Sequence, residues 1–524
     1  GSSLLTTDSN HLPTFCKPSV IRWGAFSSRE LNDSIREVVN SWERSGIRVT
    51  LFAPATGRFT TPPACKVVYV PTVPVRIAAV LPGETPVKEI LHPREVRQVA
   101  IRGTPEAPRL DGDAPVIEYA LRMQQFAPGA LLSEQLAAGS LQPEHLDRLA
   151  QRLAAFHAAA EVAGPDAPWA TPEVVAGDSL RALEGLVSHG AAAADCNALR
   201  TWLQAQAARL RPTWQARRRA GRVRECHGDL HLANAVLLEG EVTAFDCLEF
   251  DPALRWIDVF SDIAFLVMDL LAHGRGDLAF RFLNAYLDES GDHAGLPVLR
   301  WYLVYRALVR ALVARIRSGQ GGAAGGPDHL GLAWRLATDV DARLLITHGV
   351  SGSGKSWVAQ RLLQQAQAIR LRSDVERKRL HGLRALEASA SRVRGGIYGQ
   401  GATRRTYARL RDLARVALTS GQRVIVDAAF LRRSERDDFR RLAHECGVPF
   451  TLLHCRAPVA LLRERVHLRG ERGGDPSEAD LAVLDKQLAG AEPLAAEEQA
   501  PLITVDTGAP VDIEALAARW LAAR

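Results

Sequence analysis

Gly349-Val350-Ser351-Gly352-Ser353-Gly354-Lys355-Ser356 combines the residue types that hold an anion against the peptide backbone. Glycines at this spacing let successive N–H groups turn inward around a phosphate, and a helix opening at the end of the run adds the positive end of its dipole. In such a loop Lys355 reaches the terminal phosphates of a nucleotide and the Ser356 hydroxyl ligates its Mg²⁺. A bare Gly/Ser turn between strand and helix is the alternative, and the complete GxxxxGK[ST] pattern argues against it. A second stretch, His227-Gly228-Asp229-Leu230-His231-Leu232-Ala233-Asn234, is followed by a hairpin-like segment and then by Asp246. Phosphoryl-transfer chemistry assigns these residues roles: Asp229 accepts the proton of a substrate hydroxyl, Asn234 ligates a metal, and Asp246 holds Mg²⁺ against the phosphates.

Other side chains in the last third extend the first pattern. Val424-Ile425-Val426-Asp427 is an apolar run ending in a carboxylate, suited to orienting Mg²⁺; a helix cap or a surface Asp is the alternative. Asp374, just past a second strand-like run, suits the acceptance of a proton from an attacking hydroxyl, and Arg377 suits an anionic substrate. A plain N-cap by Ser373 or Asp374 is the competing explanation. Arg463, Arg465, Arg469 and Arg472 precede Gly473-Gly474 and suit a lid closing on phosphates, with a solvated basic helix face as the alternative.

Positioning these residues requires particular elements. The runs Leu344 to Thr347, Val424 to Val426 and Phe450 to His454 are apolar and partly β-branched, and each precedes a helix-like stretch, the alternation of a parallel α/β sheet. The phosphate loop lies between the first of these and a helix expected over Trp357 to Ala368. Residues 140–317 read as mainly helical, with 3.6-residue periodicity at His145 to Ala160, Ala198 to Leu210 and Leu299 to Arg317. Ser318 to Pro327 is glycine-rich and reads as a linker. Strand-like pieces occur at Ile47 to Phe52 and Lys66 to Val70 in a Pro- and Thr-rich opening region.

The length of 524 residues exceeds what one core organises, and the 47% apolar content fits a folded, multidomain protein rather than a disordered one. A net charge of +6 is small for this length, so nucleic acid is a possible rather than an expected partner. Seven scattered cysteines without a CxxC pair speak against a disulfide framework or a zinc site and for a reducing, cytoplasmic setting. Gly1-Ser2-Ser3, without an initiator Met, reads as a tag remnant rather than a signal peptide, and no apolar run is long enough for a membrane span. Oligomeric state is not legible.

Residues from about 340 onward resemble the small P-loop kinases, the group of gluconate kinases, polynucleotide 5′-hydroxyl kinases, chloramphenicol phosphotransferases and zeta-type toxins. HGDxxxxN with its downstream Asp resembles the catalytic loop of aminoglycoside phosphotransferases and choline-kinase-like enzymes. Ile117 to Phe126 resembles the last small-lobe strand and hinge of that fold, Leu153 to His157 its long helix, and Trp256 to Asp262 its buried acidic segment. Together they resemble bacterial proteins that fuse the two. The resemblance implies an α+β kinase-like domain joined to an α/β P-loop NTPase domain with a parallel sheet. The expected division is 1–99 as an atypical small lobe, 100–317 as the kinase-like domain, 318–335 as linker and 336–524 as the P-loop kinase domain. It also implies a small-lobe lysine for the phosphates. With only six lysines and none between Lys88 and Lys355, Lys66 is preferred over Lys88. A glycine-rich covering loop is not legible before residue 95. The function so implied is ATP- and Mg²⁺-dependent, bifunctional phosphoryl transfer to the hydroxyl of a small molecule. The competing expectations are a nucleotide-dependent switch with a silent kinase-like domain and a nucleic-acid 5′-hydroxyl kinase.

Overall fold

The computed structural model describes residues 50–52, 67–69, 97–104, 107–110, 113–122, 126–248, 251–319, 325–387, 389, 397, 399–472, 475–500 and 502–523. Two compact units result, 1–141 with 227–255 and 142–226 with 256–524.

Along the chain, β1 (Thr50–Phe52) pairs antiparallel with β2 (Val67–Tyr69). Then β3 (Arg97–Thr104), β4 (Ala107–Leu110) and β5 (Val116–Arg122) form an antiparallel sheet in the order β4-β3-β5. Helix α1 (Leu132–Ala137) follows. The next segment holds α2 (Pro143–Ala159), α3 (Pro172–Ser188), α4 (Ala193–Arg219) and the short strand β6 (Val223–Glu225). Back in the first unit, β7 (Ala235–Leu238) and β8 (Glu241–Ala244) make the hairpin expected after Asn234, and α5 (Pro252–Arg255) closes the segment. Strand β9 (Trp256–Asp258) pairs with β6, leading into α6 (Val259–Ala272), α7 (Gly276–Ser290) and α8 (Leu296–Gly319).

Local chemistry explains these helices. Thr171 caps α3 through the Val174 N–H with Pro172 at the first helical position, and Asp258 caps α6 through the Phe260 N–H. Every residue from Val259 to Leu270 is buried, so α6 is the apolar centre of the helical layer, packed by α7 and α8. Helix α9 (His329–Thr338), capped by Asp328, starts inside the stretch expected as linker. Its Leu332 and Ala333 are buried and it packs on α8, because its apolar spacing outweighs the flanking glycines.

The remainder of the second unit is the α/β part. Five strands, β10 (Arg343–His348), β11 (Ile369–Arg372), β12 (Arg423–Asp427), β13 (Phe450–Arg456) and β14 (Leu502–Asp506), form a wholly parallel sheet in the order β11-β12-β10-β13-β14. All six residues of β10 are buried, as a central strand covered on both faces requires. The intervening helices are α10 (Lys355–Ala366), α11 (Ser373–Arg379), α12 (Gln400–Thr419), α13 (Arg433–Cys446), α14 (Val459–Arg472), α15 (Leu481–Gly490) and α16 (Ile513–Ala522). Leu345, Val358, Leu362, Ile425, Leu453 and Trp520 belong to one core beneath the phosphate loop.

Edge strand β11 is not left open. Asn284 of α7 accepts from the Arg370 N–H at 2.6 Å and donates to the Ala368 carbonyl at 2.9 Å, occupying the pairing positions a sixth strand would take. Arg379 adds donation to the Asp288 carbonyl at 2.5 Å, a cation at the C-terminal end of α7.

Candidate functional site

In the α/β part the chain leaves β10 at His348 and turns through the glycine run into α10. Gly349, Gly352 and Gly354 have φ of 144°, 79° and 80°. A Cβ on Gly349 would come within 2.5 Å of the Cys455 carbonyl oxygen, and one on Gly352 within 2.6 Å of that of Leu462. Only glycine meets both demands, and the turned backbone forms the expected cradle. Lys355 lies folded over it, its Nζ donating to the Val350 carbonyl at 2.8 Å and to Ser353 Oγ at 3.4 Å. Burial lowers the pKa of this ammonium, while the nearby Asp427 carboxylate favours its charged form.

Ser356 Oγ donates to Asp427 Oδ1 at 3.2 Å. Asp427 is buried at the end of β12, so the surface and helix-cap alternatives are not met, and its Oδ2 has no hydrogen-bond partner. A buried, unbonded carboxylate oxygen beside a serine hydroxyl and a phosphate cradle fits a divalent cation. Asp374 sits in the first turn of α11, whose N-cap is Arg372, so neither Ser373 nor Asp374 is the cap. Ser351, Gly352, Gly354, Lys355, Ser356, Asp374, Asp427 and Arg469 line one cleft together. Ser353 is buried behind it and Gly349 forms its floor turn.

The arginines of α14 separate in function. Arg465 donates to Thr507 Oγ1 at 2.9 Å, to the Thr507 carbonyl at 2.7 Å and to the Gly352 carbonyl at 3.2 Å. Arg469 donates to the Ala479 carbonyl at 2.7 Å, holding the segment after the helix. Arg463 faces away and pairs with Asp485 at 2.5 Å. Gly473 and Gly474 lie outside the described residues. Sequence reasoning missed Thr507, which also donates to the Ser353 carbonyl at 3.0 Å, and Gln487, whose Oε1 accepts from the Ser351 N–H at 2.7 Å. It also missed Arg432, Glu435 and Tyr407, which line the cleft from the far side. The signal for Thr507 was its place after the β-branched run of β14; for the others no local pattern existed.

In the first unit, the His227 loop forms a separate arrangement. The Asp229 N–H donates to His227 Nδ1 at 3.3 Å, which fixes the proton on Nε2, and Nε2 donates to the Phe245 carbonyl at 2.8 Å. Asn234 Nδ2 donates to the Asp229 carbonyl at 3.0 Å and to its Oδ2 at 3.1 Å. The Phe245 N–H donates to the Asn234 carbonyl at 2.9 Å. These bonds tie the catalytic-type loop to the segment carrying Asp246, which has φ 61°, a left-handed conformation that Asp tolerates better than most residues. Gly228, at φ 84°, leaves no room for a Cβ, which would fall 2.7 Å from the Leu254 carbonyl oxygen. Phe126, at the expected hinge, packs edge-on against Phe245 at 4.9 Å. Lys66 lies outside the described residues.

The buried acidic segment plays a framework part. Arg217 forks onto Asp258 at 2.6 and 2.7 Å and onto Asp292 at 3.0 and 2.9 Å. His157, Cys226 and Asp262 also cluster in the interior. Both His157 nitrogens are engaged there, Nδ1 with the Tyr286 hydroxyl at 2.9 Å and Nε2 with Asp262 at 3.1 Å. Burial pushes the Cys226 thiol well up, so it is no nucleophile.

Comparison with known proteins accords with both geometries. Residues 77–302 match the model of the Phosphotransferase enzyme family, and residues 344–494 match that of an AAA domain. Proteins of Mycobacterium tuberculosis and Mycobacterium bovis, each described as uncharacterized, are 33% identical over 273 residues, which cover 51% of this chain and 55% of theirs. The chain thus spans about half the length of the curated relatives it matches. Among solved structures, a gluconokinase from Sinorhizobium meliloti 1021 is 24% identical, covering 35% of this chain and 94% of its own, with a TM-score of 0.25. The Mycobacterium tuberculosis APS kinase is 18% identical, covering 34% of this chain and 96% of its own, with a TM-score of 0.26. Among the described residues no helix is long and apolar enough to cross a membrane. The chain thus carries a phosphotransferase-family domain followed by a P-loop domain, the pairing found in the fused proteins that its sequence resembles.

Proposed function

We propose that this protein is an ATP-dependent phosphotransferase with two phosphoryl-transfer modules, each moving the γ-phosphoryl group to a hydroxyl of a small molecule. The observation that carries it is the Ser356–Asp427 pair, with Asp427 Oδ2 buried and unbonded at the mouth of a glycine cradle. ATP is the donor, its phosphates wrapped by the backbone of Gly349 to Ser356 and neutralised by Lys355 and Arg469. Mg²⁺, held by Ser356 and Asp427, supplies charge neutralisation at the phosphates. Asp374 receives the proton of the acceptor hydroxyl. In the first unit Asp229 takes the same part, with Asn234 and Asp246 as metal ligands.

Thermal unfolding with and without Mg-ATP tests this for the wild type, Lys355→Ala, Asp246→Asn and the double variant. Ligand at about 100 times its dissociation constant stabilises a site by about 2.7 kcal/mol. The expected result is that each single variant loses part of the shift and the double variant loses all of it. Complete loss in Lys355→Ala alone would leave the first unit without an ATP site and refute the two-module reading.

A further inference from the structure

Helix α7 meets the α/β part through two side chains one turn apart. Asn284 covers the backbone of β11. Four residues on, along the same helix face, Asp288 turns its carboxylate to the side chains of that strand. Its Oδ2 lies 3.6 Å from Arg370 and 3.9 Å from Arg372. These two arginines are i and i+2 on β11 and so share one face of the sheet. Among the described residues no other carboxylate lies within ion-pair distance of either.

The two guanidinium groups stand in different surroundings. Arg370 is buried, and burial with the like charge of Arg372 lowers its pKa to about 10. Arg372 keeps 17% of its side chain exposed and lines the cleft together with Lys355, Ser356, Asp374 and Asp427. It is the register partner of Asp427 on β12 and stands two residues before Asp374. Burial opposes its charge, but the carboxylates of Asp288, Asp427, Asp475 and Asp374 outweigh burial and raise its pKa. Of these four, Asp288 alone comes from the helical layer, and the other three face the cleft side. Without Asp288, the remaining attraction would draw Arg372 toward Asp374 and Asp427, whose oxygens are the ones needed for the proton and the cation.

We propose that Asp288 is a positioning residue for the P-loop centre: its carboxylate, reaching from α7, holds Arg372 at the cleft wall, clear of Asp374 and Asp427, where the guanidinium offsets charge on the transferring γ-phosphoryl group. This rests on the phosphotransferase reading and adds to that centre a residue from outside the α/β part. In the step, the acceptor oxygen bonds to Pγ and the bond from Pγ to the β,γ-bridging oxygen breaks. The hydroxyl proton passes to Asp374, and ADP departs with the bridging electron pair. Asp288 touches none of these atoms and acts only through where it keeps Arg372.

The test uses the full chain carrying Asp246→Asn, so that the first unit adds no ATP site. Mg-ADP is titrated calorimetrically, alone and with aluminium fluoride, which takes the place of the phosphoryl group in flight. The chain with Asp288 intact is expected to bind Mg-ADP about tenfold or more tighter with the fluoride, because a transition-state mimic collects interactions the ground state lacks. Asp288→Asn is expected to keep its affinity for Mg-ADP alone within about twofold and to lose about fivefold or more of the enhancement, which Asp288→Glu restores. Arg372→Gln is expected to show the same loss, and adding Asp288→Asn to it no further one, as for two residues acting as a unit. Asp277→Asn, near the start of α7 where Asp277 pairs with Arg275, retains the enhancement. If Asp288→Asn does not fold, its combination with Arg370→Met, which removes a buried guanidinium along with the counter-charge, carries the same expectation. An undiminished enhancement in Asp288→Asn, or an equal fall in affinity for Mg-ADP alone, overturns the proposal and leaves the kinase reading standing. No enhancement with Asp288 intact removes the phosphotransferase reading of this centre itself.

Discussion

Asp427 keeps one carboxylate oxygen buried and without a hydrogen-bond partner, an arrangement that costs stability unless a cation meets it. Asp427→Asn is therefore expected to unfold at the same or a higher temperature than the wild type without ligand, while losing the Mg²⁺-dependent part of the ATP shift. A parallel magnesium titration would separate the two effects, and a drop in ligand-free stability would contradict the account. His348 makes a second residue-scale prediction. Buried at the end of β10, with Nδ1 against the Phe430 carbonyl at 3.0 Å, it is held neutral, and burial lowers its pKa from 6.5 to about 4. The unfolded chain thus takes up the proton first, and this residue's contribution, full above about pH 6.5, is lost as pH falls toward 4. Urea midpoints across that range should fall less steeply for His348→Asn than for the wild type. Asp427 was legible in the sequence because an apolar strand ending in a carboxylate is a local pattern. Arg432 was not, because no local pattern marks which arginine of an arginine-rich chain will line the cleft.

At the scale of elements, β11 shows what a sequence can and cannot carry. Its presence follows from the apolar alternation before Asp374, and β10, β12 and β13 fall where their β-branched runs place them. Its position at the sheet edge, and its covering by Asn284 of α7, join residues far apart in the chain. No spacing rule connects position 284 with position 370. Asn284→Leu should leave the Arg370 N–H and the Ala368 carbonyl buried without partners, at about 1–3 kcal/mol for each group. Denaturant unfolding monitored on the full chain checks this, and a loss below about 0.5 kcal/mol would show that the two bonds add little beyond packing.

Across the whole molecule, the glycine-rich stretch suggested a boundary between independent domains, and the motif pairing of two phosphotransferase modules was visible from residues alone. The contacts add what the motifs could not. Helices α7 and α8 pack against the α/β part, Asn284 and Asp288 reach β11, and Arg300 approaches the Gly421 carbonyl at 3.5 Å. A fragment of residues 336–524 expressed by itself should thus be less stable than the same residues in the full chain and prone to self-association through β11. Size-exclusion chromatography across a concentration series tests it, with a monodisperse, stable fragment as the contrary outcome. The Asn284 side chain has a further bearing on how such chains arise. A gene-level exchange cut at the glycine run would hand the recipient a sheet with one raw margin, so only donors bringing a matching amide-bearing helix would yield viable hybrids. The glycine run is therefore a seam in composition and not a boundary in the packing that covers β11.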